Sequence, residues 1–143
     1  VSYLLDVNVL IALVDRYHEH HNAAHRWLES SQDSWATCAI TENGLVRIVA
    51  NSRYPNSTNS PAVVVEMLAE LKFLPRYEFW PEAVSILDPR FFRPNRLLSS
   101  RQITDTYLLG LAVRYGGYLA TFDRRINTDA VIGGAEALHL IEA

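Results

Sequence analysis

The chain has 143 residues, 49% hydrophobic and 20% charged, with a formal net charge of −3 and a single cysteine. That composition excludes a disordered tract or a disulfide-stapled scaffold, and a chain of this length is expected to form one domain, 1–143, that removes roughly two thirds of its unfolded surface from water. No apolar run approaches the roughly 20 residues that cross a bilayer, and the N-terminus lacks the basic region and small-residue cleavage site of a secretion signal, so a cytoplasmic protein with no membrane attachment is expected.

In chain order, an apolar run at residues 2–5 reads as a strand and ends at Asp6. Val9, Leu10, Leu13 and Val14 then recur at helical spacing, predicting a helix that stops near residues 15–17. A His-rich connection leads into a second helix over residues 22–30. Residues 35–40 read as a second strand, with Cys38 as a core residue, and Thr41-Glu42 opens a helix through Leu45, Val46, Ile48 and Val49. Residues 53–61 form a loop, and Ser60-Pro61 has the pattern of an N-cap with proline in the first turn of a helix running to about Phe73. Of the short apolar segments 77–80 and 83–87, at least one is expected to be a strand, and 88–94 a loop. Residues 102–115 read as a helix with Ile103, Leu108, Leu111 and Ala112 on one face, closed by Gly116-Gly117. Residues 118–122 form a strand ending at Asp123, and residues 131–132 and 138–141 give a last turn and strand. Strands that alternate with helices along the chain predict an α/β fold: a central parallel sheet with helices on both faces.

The negative net charge does not announce a nucleic-acid-binding protein. Yet twelve of the thirteen positive residues are arginine, Lys72 being the one lysine, and five arginines fall between positions 76 and 101: Arg76, Arg90, Arg93, Arg96 and Arg101. The arginine fork suits bidentate phosphate contact. An arginine-biased, solvated surface explains the same counts equally well, so composition permits RNA binding without arguing for it.

The acids carry more. Asp6 and Asp123 end strands, Glu42 follows one, and Asp105 opens a helix. In an open parallel sheet the carboxyl ends of the strands share one edge, where ligands bind, so the four are expected to converge there. Individually each has an ordinary role as a helix cap, first-turn acid or turn residue. Together they would repel one another unless a hard divalent cation, magnesium or manganese, sat among them. Such an ion polarises phosphoryl oxygens and activates water.

Four sequence blocks then resemble the PIN-domain ribonucleases, and specifically the VapC-type toxins of type II toxin–antitoxin pairs. They are Leu4-Leu5-Asp6-Val7-Asn8-Val9-Leu10, Thr41-Glu42-Asn43-Gly44, the run from Thr104 to Ala112, and Leu119-Ala120-Thr121-Phe122-Asp123-Arg124. The resemblance implies a PIN-like three-layer α/β/α sandwich and an Mg2+-dependent endoribonuclease, with Mn2+ as substitute, that leaves 5′-phosphate and 3′-hydroxyl ends. It implies that Asp6, Glu42, Asp105 and Asp123 are the catalytic, metal-holding acids. Asn8, Thr104 and Thr121 match polar positions that orient carboxylates or water, and Arg124 is a candidate contact to the RNA phosphate. It also implies a cognate VapB-type antitoxin lying across the acidic groove, and a homodimer. The helix carrying Val63, Val64, Met67, Leu68 and Leu71 is a candidate contact surface, having more apolar residues than one core face needs.

Other groups are set aside. Asp15, Asp88 and Asp129 match no catalytic position, although Asp88 is the best alternate ligand. His18, His20, His21 and His25 cluster, with His21 and His25 at the i, i+4 spacing of a zinc pair, but Cys38 is the one thiol to help them, and a solvated turn and helix is the expectation. Two rival functions remain: a catalytically inert PIN-like RNA- or protein-binding module, and a phosphatase with Asp6 as nucleophile. The second usually wants a further aspartate two residues on, where this chain has Asn8.

Overall fold

Apolar residues at alternating positions in five short runs build one sheet, all of whose pairings are parallel. The computed structural model describes residues 1–143. The strands are β1 (Ser2–Leu5), β2 (Ser34–Thr37), β3 (Tyr77–Phe79), β4 (Tyr118–Thr121) and β5 (Leu138–Leu140), in the order β3-β2-β1-β4-β5. The chain thus runs outward from β1 on one side, then returns to the centre and runs outward on the other. The topological switch point lies between β1 and β4, and the crevice beyond their carboxyl ends is the natural binding position of such a sheet.

The two-residue repeat of a strand sorts its side chains between two cores. Leu5, Trp35 and Ala120 face one side, where α1 (Val7–Val14), α2 (His21–Ser30), α3 (Ala39–Val49) and α4 (Pro61–Leu71) cover them. Leu4, Ala36 and Leu119 face the other, under α5 (Ile103–Arg114), with Trp80, Phe92 and Ala137 of the short α6 (Gly134–Ala137) completing that core. This is the α/β/α sandwich expected from the sequence.

Local departures from the expectations have local causes. The strand expected over 35–40 ends at Thr37, and α3 begins at Ala39. The Thr41 hydroxyl accepts from the Cys38 amide at 3.0 Å and starts the helix early. Cys38 is fully buried, as expected. Ser60 caps α4 by accepting from the Val63 amide, but the helix stops at Leu71, and Phe73 is 89% exposed in the turn beyond it. Segment 77–80 supplies edge strand β3, whereas 83–87 stays irregular, its Val84 carbonyl accepting from the Tyr107 hydroxyl at 2.7 Å. Ile103, expected on the buried face of α5, is 41% exposed, because it lies at the helix start beyond the reach of the core.

Loop 81–102 is pinned to loop 122–133 by the Phe92–Val131 bridge. The Phe92 ring lies so close over Gly110 that a Cβ there would collide with it. Both arginine-bearing loops are thereby fixed against the second half of α5.

The histidines tie α2 to the end of α1. His21 Nδ1 lies 2.7 Å from the Ala12 carbonyl and His25 Nε2 2.9 Å from the Leu13 carbonyl. A carbonyl only accepts, so each ring nitrogen donates, satisfying carbonyls that the last turn of a helix leaves free. Half-buried and structurally engaged, they are not simply the solvated turn expected. Asp15 closes the same corner. Its carboxylate accepts from the Tyr54 hydroxyl, from Asn56 Nδ2 at 2.9 Å and from the Tyr17 amide at 3.0 Å. Burial pushes its pKa up, but these donors outweigh burial and hold it below the ordinary aspartate value.

Replacing Asp15 removes a buried acceptor of three hydrogen bonds whose donors can partly turn to water, so Asp15→Ala is expected to cost about 1–2 kcal/mol of stability at pH 7 in urea unfolding. The folded pKa lies below the unfolded one. The stabilisation is therefore present above about pH 4 and lost as pH falls through the folded value, and the gap between wild type and variant closes with it.

Candidate metal centre

Asp6 follows directly on β1 and sits at the switch point. One carboxylate oxygen caps α1, accepting from the Val7 amide at 2.7 Å, and the other accepts from the Thr121 hydroxyl at 2.8 Å. The cap role and the position among the acids coexist because the carboxylate has two oxygens. Asp6 is 5% exposed. Burial pushes its pKa up, the bonds from Thr121 and Val7 pull against that, and the charge of Asp123 adds to the rise.

Thr121, the last residue of β4, joins the centre together. Its hydroxyl donates to Asp6 and accepts from Asn8 Nδ2 at 3.0 Å and from the Asp123 amide at 3.0 Å. Asn8 in turn accepts from the Phe122 amide at 3.1 Å. One small network thus fixes the Asp6 carboxylate and the backbone that carries Asp123. Asp123 accepts from the Arg125 amide at 2.8 Å, which closes a tight turn and places both Arg124 and Arg125 at the surface. Asn8, Phe122, Asp123, Arg124 and Arg125 line an open pocket of about 450 Å³.

Asp105 enters from the first turn of α5. Its pKa is pushed up to about 6, first by burial and then by the charges of Asp6 and Asp123. The three aspartates thus feel one another across the carboxyl edge.

Glu42 has further partners. From the first turn of α3 its Oε2 accepts from the Thr37 hydroxyl at 2.7 Å and pairs with Lys72 Nζ at 2.9 Å. Glu42, unlike Asp6 and Asp105, thus has a cation on one of its carboxylate oxygens. Thr104, expected to orient Asp105, is exposed, since adjacent positions on a helix do not face the same way. Asp88, the alternate ligand, is instead in a turn with Arg90, whose guanidinium hydrogen bonds to it, with the Arg90 backbone amide, hold its pKa down.

As the side chains stand, no three His, Cys, Asp or Glu groups are gathered closely enough to grip an ion. The donor chemistry of Asp6, Asp105 and Asp123 nevertheless fits a hard divalent cation: carboxylate oxygens only, and a mutual repulsion that such a charge relieves. Sequence reasoning missed Thr37, Lys72 and Tyr77. The signal available was that Lys72 is the one lysine among thirteen positive residues.

Residues 3–130 match the family model for the PIN domain. Over 134 residues the chain is 46% identical to Ribonuclease VapC44 of Mycobacterium tuberculosis, a match covering 93% of this chain and 94% of that protein. The chain therefore belongs to the PIN-domain family and, within it, to the VapC ribonucleases. Its fold is shared by the M. tuberculosis toxin VapC20, described as cleaving the sarcin–ricin loop. The TM-score is 0.61 at 11% identity, over 91% of this chain and 96% of that one. It is shared too by a chain of the VapBC2 complex of Rickettsia felis bound to promoter DNA, with a TM-score of 0.58 at 15% identity, covering 88% and 93% of the respective chains.

The raised pKa of Asp105 has a stability consequence in protein without added divalent cation. Its folded value of about 6 lies above the unfolded one. The stabilising protonation is complete below about pH 4 and is lost as pH rises through 6. Asp105→Asn should therefore raise stability at pH 7.5 by about 1–2 kcal/mol, a figure discounted for the half-exposed position, and by much less at pH 5. Urea titrations of both proteins at the two pH values check this.

Proposed function

We propose that the protein is the toxin of a type II toxin–antitoxin pair, an endoribonuclease that hydrolyses RNA phosphodiester bonds with a divalent cation held by Asp6, Asp105 and Asp123. The observation that carries the reading is the electrostatic coupling of these three aspartates at the switch point, in a chain nearly half identical to a VapC ribonuclease over almost its whole length. One sheet receives strands from both ends of the chain, which supports residues 1–143 as a single PIN-like domain.

The chain's own groups do the positioning. Thr121 and the Val7 amide hold the Asp6 carboxylate from both sides, so its orientation is set before substrate arrives. Asn8 fixes the backbone at Phe122, and with it the direction in which Asp123 leaves the sheet. Asp105 faces both from α5. Magnesium, with manganese as substitute, would supply the charge that lowers the pKa of water and offsets the negative charge growing on the phosphate. Attack on phosphorus and loss of the 3′ oxygen leave 5′-phosphate and 3′-hydroxyl ends. Arg124, exposed on the pocket beside Asp123, contacts the RNA phosphate. Arg96 and Arg101, on the loop pinned alongside, extend the basic rim.

The VapBC2 neighbour supports a partner of the VapB type, seated over the acidic groove. The exposed valines of α4, Val63 and Val65, offer an apolar surface for that antitoxin or for a second copy in a homodimer. No helix is long and apolar enough to cross a membrane. Its place of action is the cytoplasm, where such RNA substrates are found.

Wild type and Asp6→Asn are to be compared on structured RNAs with magnesium and with EDTA. Cleavage is expected in magnesium alone and to fall by about 100-fold or more in the variant. Equal cleavage in EDTA, or an unimpaired variant, would overturn the mechanism; no cleavage together with no manganese binding would favour the inert module. Arg124→Ala should weaken RNA binding across sequences and lower the slope of log affinity against log salt by about 1, read from filter binding at several salt concentrations.

A further inference from the structure

Phe122 carries a ring for which the acidic centre itself has no use. It stands between Thr121 and Asp123 and lines the open pocket together with Asp123, Arg124 and Arg125. Its backbone is fixed by Asn8, and its ring packs on the core beneath α1 to α4. On that ring lies the imidazole of His20, with centroids 4.9 Å apart and planes inclined by 25°, an offset aromatic stack. His20 takes this place at a local cost. It is the N-cap residue of α2, where a serine, threonine, aspartate or asparagine would satisfy a free helix amide, yet its side chain makes no cap bond. The turn that presents it is braced: the His18 amide donates to the Asp15 carbonyl and the His20 amide to His18 Nδ1, each at 3.0 Å. The stack is thus preset, while the His20 side chain keeps 32% of its surface exposed.

We propose that His20 and Phe122 form a stacking shelf for one unpaired base of the RNA, seated beside the phosphate at the acidic centre, so that cleavage falls where the strand is unpaired. The inference rests on the ribonuclease reading given above and names the substrate class of that same site. Phosphate contacts cannot make this choice, because paired and unpaired strands present the same charged backbone. A base reaches an aromatic face only when it is splayed out of its helix, and any base will do, since each has a π-face. Charge favours a base over a phosphate at His20. The exposed Glu19 carboxylate lies 3.5 Å from His20 Nε2 and would repel a phosphate there, whereas a neutral base face is indifferent to it. The groups suited to phosphate, Arg124 and Arg125, lie on the same pocket as Phe122. Base and backbone of one nucleotide thus have separate places within a single pocket.

The test is equilibrium binding to an end-labelled single-stranded RNA of mixed sequence and to the same strand annealed to its complement, read by fluorescence anisotropy in EDTA. Wild type is expected to favour the single strand by about fivefold or more. His20→Ala should weaken the single strand by about fivefold or more and the duplex by less than about twofold. His20→Phe should restore single-strand binding, which it would not do if the imidazole served as a cation. In a series of strands with one abasic nucleotide at each position in turn, one position should cost wild type the same factor and leave His20→Ala unchanged. Phe122→Leu keeps an apolar group on the core and should act as His20→Ala does; if it fails to fold, the His20 variants decide. The proposal is overturned if wild type binds both strands equally, if His20→Ala weakens both alike or neither, or if His20→Phe does not restore binding. A wild type that leaves RNA intact in magnesium would overturn the ribonuclease reading, and this inference with it. Cleavage in magnesium without preference for the single strand would overturn the shelf alone.

Discussion

Carboxylates brought to one edge of a parallel sheet repel one another, and most of what is distinctive in this structure answers that repulsion. The fold cannot avoid it. Once β1 and β4 are neighbours at the switch point, Asp6 and Asp123 leave the sheet side by side, and α5 brings Asp105 over them. Each acid meets the constraint differently. Asp6 is hydrogen-bonded at both oxygens, by Val7 and by Thr121, yet burial still lifts its pKa. Asp105 has no such donors to set against burial, and burial with the charges of Asp6 and Asp123 pushes its pKa up to about 6. Asp123 remains near the surface in a turn with Arg125. Glu42 is given a lysine. These answers leave the centre intact while keeping the three aspartates in want of a cation.

The same edge explains why ordinary structural roles and functional ones fall on the same residues. An aspartate after a parallel strand is a good helix cap, and a helix N-terminus is favourable to an acid. The fold therefore tolerates acids at these positions for local reasons, and Asp6 shows that a cap can use one oxygen and leave the other for the network with Thr121. The contrast with Asp15 separates the two situations. Asp15 receives three donors and its pKa falls, as in a group whose charge stabilises the fold. Asp105, among like charges, has its pKa raised. A half-buried acid that destabilises its own fold needs an external reason to be there.

Much of this was legible in the sequence because it depends on local pattern. The strand ends before Asp6 and Asp123, the Ser60-Pro61 helix start and the α/β alternation follow from hydrophobic period and turn chemistry. The Asn8 and Thr121 positions were legible through the family blocks, and the fold sets both residues against Asp6 and Asp123. What was not legible depends on distance along the chain. Lys72 is thirty residues from Glu42, and nothing in either neighbourhood signals the other. Thr37 was hidden inside an apolar run whose strand ends at that residue, just before a helix start set by Thr41. Thr104, matched through the same family blocks, stands exposed one position before Asp105 on the helix.

The position of the arginines completes the electrostatics. The chain is acidic overall, but Arg124 and Arg125 line the open pocket beside Asp123. A polyanion approaching an acidic protein would be repelled by the net charge at long range. Within about a Debye length of 8–10 Å, however, the local rim governs. The carboxylates must then be neutralised before a phosphate can pass the rim and reach them. On the proposed function, cation binding and RNA binding would be coupled by this arrangement: the ion would remove repulsion from the aspartates, and the phosphate would contribute charge that the ion and the arginines both favour. An antitoxin that offered a basic group to the same three aspartates would compete with the ion first, and through it with the RNA.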